Sequence, residues 1–237
     1  MKTQRSIKAI SALALGLGLA AATATAGQGN QGNLGVSPPQ CSSHGKTYGE
    51  WAGIWWQWVL SVPADHNPAL DLTGADAAQG QSGPVWFLAG VFGATDPVER
   101  TITIPPGKAL FFPMINFVWI STGPSDPQTA AGIREIVEPP TDAVTGLACE
   151  VDGVPVKNLA AYRTESPLFD VTLPAGDIFG AGPATYGPSM DQGYYLMLAP
   201  LSAGKHTVHF RGAMQEPIPP YWAPFSVDVT YHITVKR

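Results

Sequence analysis

The stretch FSVDVTYHITV at residues 225–235 decides the fold class of this chain. Apolar residues occupy every second position from Phe225 to Val235, and polar residues such as Asp228 and His232 occupy the positions between them. Successive side chains of a strand point to opposite faces of its sheet. The pattern therefore predicts a long strand with one face on a hydrophobic core and the other in water.

Shorter β-prone segments precede this strand and are separated by Gly and Pro. Asp152-Gly153 is a strong two-residue hairpin signal, and residues 169–173 alternate between apolar and polar. No regular alternation of strands and helices is visible. The sequence therefore predicts a mainly β fold, an antiparallel β-sandwich or jelly roll, with further strands at 85–90, 101–104, 109–112 and 147–156.

One tryptophan-rich segment, residues 47–62, predicts an amphipathic helix on this β fold. Thr47 followed by Glu50 forms a capping-box pattern, and Pro63 ends the segment. The apolar face of the helix includes Trp51, Trp55 and Trp58 and is expected to pack on the sheet, whereas Trp56 lies off that face and is expected to be exposed.

The N-terminus has the pattern of a secretory signal peptide over residues 1–26. Lys2, Arg5 and Lys8 precede an apolar run that ends at an Ala24-Thr25-Ala26 cleavage signal. The run is shorter than the roughly 20 residues that span a bilayer, so no stable membrane insertion is expected after cleavage. We expect a secreted or periplasmic protein with a flexible mature N-terminus at 27–40 and a single domain at 41–237.

Composition excludes several classes of protein. Charged residues make up 13% of the chain and hydrophobic residues 45%, which is unlike a charged disordered chain. The net charge of −5 becomes −8 once the three cations of the signal are removed, and this does not suggest nucleic-acid binding. No sequence motif indicates a cofactor, and no motif with metal-ligand spacing is present.

Two cysteines, Cys41 and Cys149, are the only ones in the chain. In the oxidising compartment that export implies, they predict a disulfide; the alternative is two independent thiols. Their spacing is unlike that of a redox or zinc motif.

The chain contains five distinctive motifs: YGEW at 48–51, WWQW at 55–58, GQSGPVWFLAG at 80–90, IPPGKALFFP at 104–113 and GYYLML at 193–198. These motifs resemble those of a family of uncharacterised small exported bacterial proteins. The resemblance covers most of residues 41–235 and implies export and a shared fold, but no activity. Relatives often carry additional cysteines near positions 76–78 and 101–103, which this chain lacks.

Hydrolytic chemistry has weak support in the sequence. Ser82 lies in a Gly80-Gln81-Ser82-Gly83 segment that resembles a nucleophile elbow, but its second Gly comes one position early and Pro84 follows where a helix should begin, so a turn is expected. Glu50, Asp191 and Glu216 are candidate acids for glycoside hydrolysis. Glu50 is already explained by the capping box, and Asp191 by the end of a loop.

A polar cluster is expected on the outward faces of the last two strands. If these strands pair, His209, Arg211, Asp228 and His232 come together and could hold a divalent ion or act as acids and bases. Ordinary cross-strand polar pairing is the alternative interpretation.

Aromatic residues suggest a binding surface. Trp56, Tyr194, Tyr195, Tyr221 and Trp222 are candidate platforms for a glycan or another envelope component, because sugars stack on aromatic rings and binding residues concentrate in loops. The leading hypothesis is thus an exported non-catalytic binding protein. A secreted hydrolase with dispersed acid-base residues and a structural or assembly protein are the alternatives, and the oligomeric state stays open.

Overall fold

The structure is a computed structural model that describes residues 35–94 and 96–237. The chain is mainly β, as predicted. Its two α-helices in these ranges are α1 (Tyr48–Leu60) and α2 (Ala130–Asp142), and short 3₁₀ turns cover Ala64–His66 and Leu159–Tyr162. The predicted signal peptide lies outside the described residues. Among those described, no helix is long and apolar enough to cross a membrane.

Ten strands in the described ranges form two five-stranded sheets. They are β1 (Val85–Phe87), β2 (Val98–Ile104), β3 (Ala109–Ile120), β4 (Thr145–Val151), β5 (Val154–Pro155), β6 (Arg163–Glu165), β7 (Phe169–Leu173), β8 (Ala184–Leu198), β9 (Gly204–Met214) and β10 (Phe225–Val235). The first sheet has the order β1-β3-β8, with β6 and β7 both pairing with the far side of β8. The second has the order β2-β10-β9-β4-β5.

Both sheets are mixed rather than purely antiparallel. β1 runs parallel to β3, and β2 runs parallel to β10, whereas the other pairs are antiparallel. The predicted β10 has the expected bounds and alternation, and the Asp152-Gly153 hairpin joins β4 to β5. The purely antiparallel form of the fold prediction is not confirmed.

The capping box predicted at the start of α1 is present. The backbone N–H of Glu50 donates to Thr47 Oγ1 (3.2 Å), and the N–H of Thr47 donates to Glu50 Oε2 (2.7 Å). These two bonds satisfy donors that would otherwise lack partners at the helix N-terminus. The helix ends at Leu60, just before Pro63.

The helix α1 is covered on most of its circumference by the first sheet and the loops around it. Trp51, Trp55 and Trp58 are buried, as predicted, and Trp51 packs edge-on against Phe87 of β1. On the opposite side, the Gln57 amide donates to the backbone oxygen of Asp170 in β7. The helix is therefore held on two sides by the same sheet.

The other face of the first sheet contacts the second sheet and α2. Phe112 of β3 stacks on Phe210 of β9 with ring centroids 4.7 Å apart. Further along the sheet, Ile133 and Val137 of α2 pack against Met190 of β8. The first sheet thus lies between α1 on one side and these two elements on the other.

A β-bulge in β3 determines which side chains face α1. Pro113 pairs with Tyr195, but Ile115 pairs with Tyr194, so Met114 is an extra residue in the strand. The shift places Asn116 opposite Gly193, on the face that carries Asp191 and Tyr195. A side chain at Gly193 would not fit, because its Cβ would lie 2.6 Å from the Cβ of Asn116.

The described part of the N-terminal segment contacts the first sheet and α1. The Ser37 N–H donates to the Met197 oxygen (2.8 Å), and Val36 forms an isolated bridge with Leu198. The Tyr48 hydroxyl also donates to the Ser37 oxygen (2.6 Å). Residues 35–37 therefore lie against the end of β8, with α1 beside them.

The predicted disulfide between Cys41 and Cys149 is wrong: the two cysteines are not bonded. Cys149 lies in β4 opposite Phe210, with its side chain buried in the core of the second sheet. Cys41 is exposed in a turn before α1, and α1 packs on the first sheet. A disulfide would require one of the two thiols to move away from the residues that surround it. The spacing of the cysteines in the sequence gives no information on this separation.

We expect Gly49→Ala to destabilise the protein although alanine is the better helix former. A Cβ at position 49 would lie 2.3 Å from the backbone oxygen of Glu165 in β6. Overpacking against backbone costs about 1–3 kcal/mol, and this exceeds the gain of about 1 kcal/mol from helix propensity. Urea unfolding checks the prediction, with Gly123→Ala as a control because a Cβ at position 123 meets nothing within 4 Å. Equal stability of Gly49→Ala and wild type would contradict it.

We expect the two thiols to differ strongly in reactivity in the native protein. Burial raises the pKa of the Cys149 thiol to about 12, and the Glu150 carboxylate acts in the same direction. A thiol reagent at pH 8 should titrate Cys41 alone in buffer and both cysteines in 8 M urea, since thiolate formation and access control the reaction. Cys41→Ser should abolish the native reaction, and two reactive thiols in the folded protein would refute the assignment.

Candidate functional site

A cavity of about 500 Å³ borders β3 of the first sheet. Its wall is formed by side chains from α1, β3, β7, β8 and the start of β10, and from the loops that follow β1, β3, β7 and β9. Most of these side chains are apolar. The lining residues are Trp56, Phe92, Asn116, Phe117, Val118, Ile120, Thr122, Leu173, Phe179, Ala181, Tyr186, Trp222, Ala223, Pro224 and Phe225.

Aromatic rings form a connected part of the cavity wall. The Trp56 indole stacks beside Phe92 with ring centroids 6.3 Å apart. Phe225 contacts both Phe92 and Phe117. Trp222 contacts Phe117 edge-on at 5.3 Å, and the Trp222 indole N–H donates to the Ile136 oxygen of α2 (3.0 Å). The rings are therefore fixed by contacts outside the cavity, so the cavity is formed before any ligand binds.

A loop between β7 and β8 contributes the rim. The Asp177 carboxylate accepts hydrogen bonds from the backbone N–H groups of Phe179 (2.8 Å), Ala181 (3.3 Å) and Gly182 (2.8 Å). These bonds fix the loop that carries Phe179, whose residue surface is 56% exposed. A large exposed apolar ring at a cavity mouth is available to contact a ligand.

A chain of buried polar side chains lies behind one end of the cavity. Asp191 Oδ2 accepts hydrogen bonds from the Trp56 indole N–H (2.9 Å) and from the Tyr195 hydroxyl (2.7 Å). The Tyr195 hydroxyl in turn accepts from Asn116 Nδ2 (2.8 Å). Trp56 and Asn116 line the cavity, whereas Asp191 and Tyr195 are fully buried behind them.

The Asp191 carboxyl lies where its charged form is disfavoured. Burial raises its pKa to about 7, although the hydrogen bonds from Trp56 and Tyr195 act in the opposite direction. Its second oxygen, Oδ1, is buried and has no hydrogen-bond partner among the described residues. Because Oδ2 already accepts two hydrogen bonds, a proton on this group belongs on Oδ1.

The aromatic residues proposed from the sequence are distributed over three environments. Trp56 and Trp222 line the cavity, but Trp56 is buried, so its predicted exposure is wrong. Tyr195 is buried and stacks on Phe111, and Tyr194 packs beside Ile115 on the opposite face of the sheet. Tyr221 is 55% exposed and lies outside the cavity lining. No extended aromatic strip is formed by the five.

The predicted polar cluster of the second sheet divides into pairs. β9 and β10 do pair, and His209 Nε2 lies 2.9 Å from Asp228 Oδ1. Arg211 lies opposite Asp228 in the register, but His232 lies beside Glu99 of β2 (3.3 Å). Among the described residues, no group of three or more His, Cys, Asp or Glu side chains is arranged to hold a metal ion.

The residues considered for hydrolysis do not meet. Glu50 is exposed in the first turn of α1 and Glu216 is exposed before β10, whereas Asp191 is buried in the middle of β8 rather than at the end of a loop. Ser82 is exposed in a turn that precedes β1, as expected. The structure therefore does not bring these candidates together in one catalytic site.

Most of the residues that line the cavity could not be predicted from the sequence. Asn116 is hidden in an apolar strand, and its facing depends on the bulge at Met114. Phe179 has a detectable signal, because it is a large apolar residue in a glycine-rich loop without periodicity, the same argument that selected Trp222.

Comparison with known proteins adds no relative. No protein-family model matches the chain, and neither curated proteins nor solved structures show a significant match. The resemblance to the exported bacterial family stays a prediction, and the site must be interpreted from its own geometry.

We expect the contribution of Asp191 to the stability of the protein to fall as the pH rises from about 4 to about 7. In this window the folded state retains a proton that the unfolded state has lost, since the pKa is raised from 3.8 to about 7. One such proton corresponds to about 1.4 kcal/mol per pH unit. Asp191→Asn imitates the neutral acid and does not titrate. The free energy of unfolding of wild type, minus that of the variant, should therefore decrease with this slope as the pH rises and level off above pH 7.

Urea unfolding of both proteins between pH 4 and pH 8 measures the difference. Glu216→Gln removes an exposed carboxyl and serves as the control. Parallel pH profiles for wild type and Asp191→Asn would contradict the prediction.

Proposed function

We propose that this chain is an exported binding protein for a small, largely apolar ligand that occupies the cavity. The supporting observation is a cavity of about 500 Å³ whose walls are aromatic and aliphatic and are fixed by contacts outside it. Small-molecule sites have volumes of about 300–1,000 Å³, are mostly apolar and contain a few polar groups. The export part of the proposal rests on the N-terminal sequence pattern.

The glycan form of the binding hypothesis has less support. A sugar buries many hydroxyls, and each needs a partner, because an unpaired buried polar group costs about 1–3 kcal/mol. The cavity wall contains one side-chain amide and two side-chain hydroxyls, in Asn116, Thr122 and Tyr186. An apolar molecule or an acyl chain fits this composition better.

We also propose that the two sheets form a β-sandwich, with the Phe112–Phe210 stack between them. The parallel pairs of both sheets distinguish this sandwich from the antiparallel and jelly-roll forms expected from the sequence.

We expect the mature protein to bind the neutral fluorescent probe N-phenyl-1-naphthylamine at one saturable site. Val118→Phe should weaken binding at least about tenfold, equivalent to about 1.4 kcal/mol, because the larger ring occupies the cavity. Val154→Phe adds the same ring on β5, where Val154 is 65% exposed, and should have no effect. Fluorescence titration measures both constants.

Competition separates the proposal from the glycan hypothesis. A medium-chain alkyl compound should displace the probe, whereas oligosaccharides should not. Absence of saturable binding, or equal binding by Val118→Phe and wild type, would refute the proposed function. Binding of an oligosaccharide that is lost in Tyr221→Ala would favour the glycan hypothesis instead.

A further inference from the structure

All five polar side chains that line the cavity already donate a hydrogen bond within the protein. The indole N–H groups of Trp56 and Trp222 donate to Asp191 and to the Ile136 oxygen. The hydroxyl of Thr122 donates to Asp126 and that of Tyr186 to the Ala181 oxygen, so each keeps an oxygen that can accept. The fifth is Asn116, whose amide oxygen accepts no hydrogen bond from the described residues; Asn116 is buried, whereas Thr122 is exposed and Tyr186 is half-buried.

The hydrogen-bond chain behind the cavity fixes the orientation of the Asn116 amide. An indole N–H can only donate, so Asp191 Oδ2 accepts from Trp56. The same oxygen accepts from the Tyr195 hydroxyl, and a proton on Asp191 belongs on Oδ1, which has no partner among the described residues.

The oxygen of Tyr195 is therefore left to accept, and its partner must be the NH₂ of Asn116. The amide oxygen of Asn116 is consequently the end of the group that is free to face the cavity, where Asn116 is a lining residue.

The amide oxygen of Asn116 favours a ligand that carries a hydrogen-bond donor. Asn116 is only 7% exposed, so a ligand that fills the cavity removes its oxygen from water. An amide oxygen buried without a donor costs free energy, and a ligand that supplies a donor avoids that cost. The remaining walls are apolar and favour a hydrocarbon body.

We infer that the ligand is an amphiphile with an apolar body and one hydroxyl, and that this hydroxyl donates to Asn116 Oδ1. The inference rests on the proposed function, because it specifies the ligand of the same cavity. The inference distinguishes this site from one for pure hydrocarbons, which would leave the Asn116 oxygen without a donor. It also distinguishes the site from one for sugars, which carry more hydroxyls than the wall can satisfy.

The test compares two probes of the same shape, 2-naphthol and 2-methylnaphthalene, in displacement of N-phenyl-1-naphthylamine at pH 6.5. The ratio of the two affinities cancels the general effect of hydrophobicity. We expect the preference for 2-naphthol over 2-methylnaphthalene to fall about fivefold in Asn116→Leu, the effect of one hydrogen bond between neutral groups. Thr172→Val removes a hydroxyl of β7 that bonds to Thr185 and lies outside the cavity lining, and it should leave the ratio unchanged.

A second measurement uses the wild-type chain, because Asn116→Leu also removes the hydrogen bond to Tyr195 and could impair folding. The ¹⁵N and ¹H resonances of the Asn116 side-chain amide should shift further with 2-naphthol than with 2-methylnaphthalene, because both probes contribute a ring-current shift and only 2-naphthol adds a hydrogen bond.

The outcomes separate the two proposals. An unchanged affinity ratio in folded Asn116→Leu, or equal resonance shifts with both probes, overturns the hydroxyl inference, and continued binding of 2-methylnaphthalene then leaves the proposed function standing. If neither probe binds, the proposed function fails and the inference fails with it.

Discussion

The hydrogen bond from the Trp56 indole to the Asp191 carboxylate is the interaction on which the arrangement of α1, the first sheet and the cavity depends. It joins residues 135 positions apart and is completely buried. A buried carboxylate needs donors, and here one comes from α1 and the other from Tyr195 of the same strand. Rotation of α1 about its axis would break this bond and move the tryptophan face off the sheet. A polar contact thus selects one orientation for a helix that is apolar on most sides.

This contact carries a cost that the structure reduces by protonation. Two donors serve Oδ2 and none of the described residues serves Oδ1, so the negative charge is poorly compensated and burial raises the pKa of Asp191. The neutral acid retains both hydrogen bonds at Oδ2 without the charge. A buried charge, even with partners, is weak evidence for net stability, and we infer that this network acts by fixing geometry. Here the geometry imposed is the position of the Trp56 ring beside Phe92 in the cavity wall.

Local patterns in the sequence predicted local structure, but they did not predict which distant strands pair with each other. The capping box of α1 and the alternation of β10 depend on residues within a few positions of each other, and both were confirmed. The parallel pairs join distant segments, and no local pattern encodes them. Gly193 made the region of Asp191 resemble a loop, although that glycine is needed inside β8 opposite Asn116. Trp56 was misplaced because a helix that is covered on nearly every side gives little indication of which ring is outermost.

The direction of hydrogen bonding links these buried residues to the chemistry of the cavity. Trp56 and Tyr195 both donate to Asp191 Oδ2, and the Tyr195 oxygen accepts from Asn116. A chain in the reverse direction would present an N–H instead of an oxygen to the cavity. Under the proposed function, selectivity for a hydroxyl-bearing amphiphile depends on this direction, to which the Trp56 indole contributes from the buried side of the helix. The same indole therefore fixes the orientation of α1 and contributes to the polarity of the binding site.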